Sequence, residues 1–434
     1  MKDHSLTRRS FAKSTTLAVG ASVGLAGCMG MGGDNGGFEV WGGDNHLEEE
    51  WGEWYGDQLE DQLGVDPQLT AYAYHDAQQN YISSADTGTP QVIEGLLENI
   101  VQFIEGDLIE PIDDYLDDVD TSEFVDSTLE AFEHDGNQWA LPHEANGRGL
   151  VYREDVLDEY GFSPPETFDE YIEIGKEINQ GEDDMSGISL TTDADSSRGP
   201  QEFLSHYFQL EESMFVSDDD GLALAADDHE PFTKVFELYH HVYADDNPAG
   251  FPEDRGLGSA GHDDGYRAGD FAMIPIGPWI MDPDDVEGAE EVLENSAVTH
   301  LPYPEGGSQA TYLEVKPVMI NSHAEDKEQA MDAIEIWTSA ESQEEYGQYD
   351  AGHLTTPVRT DVESSIDDER WEPWLDILET GVVVDYINWG PVNEEIVDGC
   401  QDVVYGEATP EEAGEVLYDS LQELAEEQEL SEEV

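Results

Sequence analysis

Whatever this chain folds into must tolerate a formal net charge of −88, with 103 Asp and Glu against 15 Lys and Arg. At ordinary ionic strength such self-repulsion opposes compaction. At molar salt the screening length falls to about 3 Å and most surface repulsion disappears. The acidic residues lie along the whole sequence and form no single tail or patch, so the expectation is a salt-adapted surface rather than a polyanionic binding face. Hydrophobic residues (38%) and aromatics (10%) supply core material throughout, unlike a disordered acidic segment. A nucleic-acid partner is excluded, because phosphate binding needs a basic footprint. The 434 residues suggest two or three domain-sized units.

The N-terminus carries an export address. Thr7-Arg8-Arg9-Ser10-Phe11-Ala12-Lys13 precedes an uncharged small-residue stretch, Ser14 to Leu25, and then Leu25-Ala26-Gly27-Cys28. A basic region, a short apolar region and a small-residue cleavage site make a signal peptide over residues 1–27. Its twin arginine is read by an export receptor, and Leu-Ala-Gly-Cys resembles the lipobox of prokaryotic lipoproteins, which makes Cys28 the lipidation site. Cleavage removes Lys2, Asp3, Arg8, Arg9 and Lys13, leaving a mature charge near −91. The expected location is the outer face of the cytoplasmic membrane. Residues 28–37 form the lipidated cysteine and a Gly-rich tether. A single acyl chain anchors only marginally, so stable attachment needs two or more. Cys400 is then the remaining cysteine, and no disulfide is expected.

Beyond the tether, strand-like and helix-like patterns alternate. Phe38 to Trp41 reads as a strand. His46 to Leu63 reads as a helix with Leu47, Trp51, Trp54 (or Tyr55), Leu59 and Leu63 along one side. Leu69 to Tyr74 alternates like a strand, Asn80 to Ser84 begins a helical stretch, and Pro90 to Ile93 is another strand candidate. The alternation predicts an α/β fold with a largely parallel sheet. Thr167-Phe168-Asp169-Glu170 and Thr409-Pro410-Glu411-Glu412 are capping boxes that start two helices.

Gly136-Asn137-Gln138-Trp139-Ala140-Leu141-Pro142 followed by Gly149-Leu150-Val151-Tyr152-Arg153-Glu154-Asp155-Val156-Leu157, then Gly161 to Glu170, resembles the extracellular solute-binding proteins of ABC importers. The resemblance is to their carbohydrate-binding, maltose-binding-protein-like family, here as a haloarchaeal-type lipoprotein. Phe271 to Trp279, Ala330 to Gly347 and Leu354 to Arg359 resemble later blocks of the same family, in the same order. The resemblance implies a two-lobe, periplasmic-binding-protein-like α/β fold (type II) with a ligand cleft between lobes joined by hinge crossings. It places lobe 1 at 38–142 plus 316–358 and lobe 2 at 146–312 plus 362–434.

The same resemblance supplies candidate ligand contacts. A sugar needs fixed donors and acceptors beside a flat aromatic wall. Trp41, Asp44 and Asn45 follow the first strand, though Asp44 and Asn45 also suit a helix N-cap. Glu98 and Asn99 stand where the family places an acidic contact. Glu144, Asn146 and Arg148 mark the first crossing, and Arg148 is a scarce cation that also suits a structural ion pair. Trp279 and Trp389 are the stacking candidates, with core packing as the other role open to them. Tyr312 and Glu314 flank the second crossing, and Tyr74 and His75 follow the second strand. Gln91 replaces the family's common Asp, and Glu94 to Leu97 lacks an aromatic used for stacking, which argues against a long malto-oligosaccharide.

Enzymatic patterns are missing. Among 103 acidic residues a suitable carboxylate pair arises by chance. Gly258-Ser259-Ala260-Gly261 falls one residue short of a nucleophile elbow, and His240-His241 and His262-Asp263-Asp264 lack metal-site spacing. No cofactor and no metal is expected. The resemblance then implies a monomeric binding protein for a small solute, most of all a sugar or oligosaccharide, that delivers it to ABC permease subunits. A polyamine, phosphate ester or metal complex on the same fold is the alternative, and a secreted carbohydrate-active hydrolase the reading from another class.

Overall fold

The computed structural model describes residues 37–47, 50–72, 74–182, 184–193, 198–218, 221–283, 286–347, 357–364, 366 and 368–426. The signal peptide, Cys28, most of the tether, and the Leu354 to Thr356 part of the last family block lie outside them. Among the described residues no helix is long and apolar enough to cross a membrane.

Two mixed sheets organise the chain. In the first, β1 (Phe38–Gly43) lies parallel to β2 (Pro67–Tyr72) and to β3 (Val92–Glu94). A long strand, Glu314–Asn321, then pairs antiparallel with β3, with β4 (Ile109–Glu110) and with β5 (Leu141–Asn146). In the second, β6 (Gly149–Arg153) is flanked antiparallel by β8 (Phe271–Ile276) and β9 (Ser296–His300). There β7 (Ser186–Ile188) lies parallel to β8. The Glu314–Asn321 strand is β10. The expectation of a largely parallel sheet is thus corrected. Connections through helices give parallel pairs, whereas β6 and β10 enter their sheets from the crossings and run against their neighbours.

The chain leaves the first sheet at Asn146 and enters the second at Gly149, so Gly147 and Arg148 form a crossing. The helix Glu50–Leu63 buries Trp51, Tyr55 and Leu59, with Trp54 only half-buried. The Tyr55 hydroxyl donates to the Ala333 carbonyl at 3.0 Å, which fixes the register left open between Trp54 and Tyr55. Asn80 to Ser84 is the end, not the start, of the helix Tyr74–Ser84. Both capping boxes form: Glu170 and Glu412 accept from the Thr167 and Thr409 backbone N–H, and each threonine hydroxyl accepts from the glutamate N–H.

Candidate functional site

Arg148, on the crossing, is 1% exposed and organises a polar cluster between the two sheets. Its backbone N–H donates to Thr311 Oγ1 at 2.9 Å. Its Nη2 reaches Glu314 Oε2 at 2.8 Å and Gln201 Oε1 at 2.5 Å. Gln201, on the helix Arg198–Tyr207, passes the contact on by donating to Glu98 Oε1 at 3.0 Å. Glu98 lies just after β3, and the Tyr312 hydroxyl donates to the same oxygen at 2.5 Å. Burial, then the nearby Glu314, raises the Glu98 pKa above its ordinary value.

An aromatic wall adjoins this chain of contacts. The Trp279 ring centroid is 4.8 Å from the Arg148 guanidinium and 5.0 Å from that of Arg198. Its indole N–H donates to Asp263 Oδ2 at 3.1 Å, and Asp263 also pairs with Arg198. The ring follows β8 because Gly277 and Pro278 turn the chain into a short 3-10 segment, Pro278–Met281. Several buried groups here have no partner among the described residues: Nε and Nη1 of Arg148 and Oε2 of Glu98. Donors and acceptors left unsatisfied together are the complement of a ligand that both gives and takes hydrogen bonds. Behind the wall, the buried Glu202 carboxylate accepts from Thr191 N–H at 2.9 Å and from its hydroxyl at 2.6 Å, and burial pushes its pKa to about 7.

A second polar network lies inside the first sheet. His46 Nδ1 is 3.1 Å from Glu94 Oε1, and His46 Nε2 is 2.8 Å from Glu144 Oε2. His143 Nε2 reaches Glu94 Oε1 at 2.8 Å, and Lys316 Nζ reaches Glu144 Oε1 at 3.0 Å. Burial opposes a charge on His46, but Glu94 and Glu144 outweigh it and raise the pKa to about 9. Burial likewise acts against ionised Glu94 and Glu144, yet the histidines and Lys316 hold both below the usual carboxylate range. His143 is lowered by burial.

Of the sequence-predicted residues, Glu98, Arg148, Trp279, Tyr312 and Glu314 are brought together, with Asn146 opposite Glu314 in the β5–β10 register. Glu144 joins the inner network and accepts from the Asn146 amide. Trp41 is half-buried on β1, its ring 5.0 Å from Tyr72 and edge-on to it. Asn99 is half-buried at the start of the helix Ile100–Glu105. Asp44 and Asn45 open the short helix Asp44–Leu47, and their side chains, like those of Tyr74 and His75, lie outside the described ones. Trp389 is placed elsewhere. It is 1% exposed, packs edge-on to Phe215 at 6.3 Å and donates to the Asp385 carbonyl at 2.8 Å, so the contacts it makes are those of core packing.

Gln91, where the resemblance leads one to expect Asp, accepts the Glu39 N–H at 2.8 Å. Sequence reasoning missed Gln201, Glu202 and Arg198, and the His46–Glu94–His143 set. Arg198 carried a usable signal as a second scarce cation; a buried glutamine carries none. His241 pairs with Asp245 at 2.8 Å and His262 lies 3.1 Å from the Ser189 carbonyl, so the two do not share a site.

Two sheets bridged by crossings, with a polar cluster and a tryptophan between them, define the two-lobe class of type II binding proteins. Solved structures of that fold agree. A solute-binding protein of Thermotoga lettingae TMO, bound with α-D-tagatose, superposes with a TM-score of 0.76 at 19% identity, covering 89% of this chain and 99% of that one. The GacH receptor of Streptomyces glaucescens GLA.O, solved unliganded and with acarbose, gives 0.73 at 18% identity over 89% and 98%. Residues 54–374 match the bacterial extracellular solute-binding protein family, and the chain belongs to it. By sequence it is 33% identical over 95 residues to a maltotriose-binding protein of Pyrococcus abyssi, 22% of this chain and 20% of that protein. It is 35% identical over 66 residues to a lactose-binding protein of Rhizobium radiobacter, 14% and 16% of the two. The curated relatives are thus matched over a fifth of their length or less.

Proposed function

We propose that this protein is the receptor of an ABC importer, capturing a sugar or oligosaccharide between its lobes and presenting it to the permease. The carrying observation is the pairing of unpaired buried donors on Arg148, which lies against Trp279, with an unpaired acceptor on Glu98, joined to it through Gln201. A hydroxyl both donates and accepts, and a tryptophan face suits a sugar's C–H surface. The sugars named for its sequence relatives and for the structures of like fold support the same ligand class. The lobes are 38–142 plus 316–358 and 146–312 plus 362–434, and the crossing at Arg148 is one hinge. Closure follows from higher affinity for the closed form, since only differential affinity shifts such an equilibrium. The receptor is exported by the twin-arginine route, anchored through Cys28, monomeric, salt-adapted and without catalytic turnover.

Melting residues 29–434 in molar salt against maltotriose, lactose, monosaccharides, polyamines and phosphate esters tests this reading. A ligand at 100 times its Kd stabilises the folded state by about 2.7 kcal/mol. A rise in Tm with one sugar group, without turnover, is the expected result, and Trp279→Ala then weakens that sugar by about 2 kcal/mol, roughly thirtyfold in Kd. A rise only with a polyamine or phosphate ester overturns the carbohydrate assignment.

A further inference from the structure

The inner network holds a grouping that a sugar receptor does not require. His46 follows β1, Glu94 ends β3 and His143 lies on β5, yet one ligand atom from each falls within 4.8 Å of the others. Their exposures are 1%, 0% and 8%. Both imidazoles point a nitrogen at the same Glu94 oxygen, Oε1, at 3.1 and 2.8 Å. The other oxygen, Oε2, is fixed by the Gly43 N–H at 2.7 Å, and a Cβ added at Gly42 would meet it at the same 2.7 Å.

We propose that His46, Glu94 and His143 are the ligands of a divalent transition-metal ion, with Glu144 as the outer carboxylate that orients His46. Two imidazole nitrogens and one carboxylate oxygen suit zinc or a similar ion, not the all-oxygen preference of calcium or magnesium. A metal-bound histidine ordinarily gives its second nitrogen to a carboxylate, and His46 Nε2 does so to Glu144 at 2.8 Å. Lys316 balances the other oxygen of Glu144 at 3.0 Å, which leaves that residue behind the ligands rather than among them. Rings close the surroundings: Tyr346 lies 5.0 Å from His46, and Trp337 lies 5.5 Å from His143.

Without an ion, His46 must carry a proton on each nitrogen to serve both carboxylates, and Glu94 Oε1 must accept from both imidazoles. An ion takes the place of the protons on His46 Nδ1 and His143 Nε2. At about 2.0–2.1 Å from each ligand atom it separates them by roughly 3.3 Å, so the two nitrogen–oxygen distances, now 3.1 and 2.8 Å, open by a few tenths of an ångström. The ion then ties β3 and β5 to the helix Asp44–Leu47 at the Gly43 end of β1. Among the described residues a second grouping of this kind, His229 with Glu411 and Glu415, has both carboxylates exposed and serves as the control.

The test uses the full chain, stripped with chelator and titrated with Co2+. One Co2+ per chain with a tetrahedral visible spectrum, displaced by Zn2+, is expected. Glu144→Gln weakens it about 10- to 100-fold, His143→Gln by at least that, and His229→Ala leaves it unchanged. Absence of a stoichiometric ion, or binding that survives His143→Gln, overturns the proposal. Should that variant fail to fold, zinc-edge absorption on the loaded wild type decides: a shell without imidazole nitrogen overturns it equally. No arm requires sugar binding, so this proposal and the receptor reading fail independently.

Discussion

Glu202 shows what a single buried charge does to this protein. Its carboxylate is fully buried, and burial raises its pKa from 4.5 to about 7 against the pull of Thr191 and of Arg198 and Arg148. Because the folded value lies above the unfolded one, the native state holds the extra proton in between. The stability this group contributes is complete below about 4.5 and is lost as pH rises through about 7. Replacing it with glutamine keeps an oxygen for the Thr191 N–H and removes the charge. Glu202→Gln is therefore expected to melt higher than wild type at pH 8, by up to about 3 kcal/mol. The two should converge at acid pH. Denaturation across the pH range checks this, and a variant less stable at pH 8 would show that the charge is compensated.

The packing of the helix Phe168–Gly181 on β7 depends on two glycines. A Cβ added at Gly187 would lie 2.0 Å from the Gly175 carbonyl oxygen, and one at Gly175 would lie 2.6 Å from Ile188 Cδ1. Gly187→Ala must therefore push the helix off the strand, at a cost of about 1–3 kcal/mol read by chemical denaturation. An unchanged midpoint would mean that the helix shifts freely. The same helix shows what the sequence makes legible. Its start at Thr167 was plain, since a capping box is a contact between residues three apart. The Gly175–Gly187 approach was not, because nothing local distinguishes a glycine that a strand must touch from one in a turn. Sheet direction failed for the same reason: β10 pairs with β5 from far along the chain, and local alternation does not encode a crossing. In the candidate site, Arg148 and Trp279 stand out by scarcity and by a Gly-Pro-Trp block. Gln201 became visible only when the fold laid it between Arg148 and Glu98, and Trp389 looked identical to a stacking residue until its neighbours were known.

At the scale of the whole molecule the charge returns as a design constraint. Among the described residues every Lys and Arg except Arg255 pairs with a carboxylate, and Arg255 donates to the Pro252 and Val404 carbonyls. The few cations are thus engaged in local pairs, several of them buried, and are not spread as counter-charges over a chain whose formal net charge is −88. Screening of the remaining carboxylates must come from solution ions. Stability is accordingly expected to rise steeply with NaCl from low concentration and to level off towards molar salt, where the screening length is about 3 Å. A Tm independent of salt would show that the carboxylates are already compensated. The same field separates the ligand classes. Once the protein is folded, a neutral sugar gains nothing from the field, so its Kd should stay flat as salt rises. A polyamine, drawn by that field, should bind more weakly with each increment. Measuring Kd from the lowest salt that keeps the fold up to molar salt therefore tests the ligand's charge without naming the ligand, and a falling affinity would count against a neutral carbohydrate.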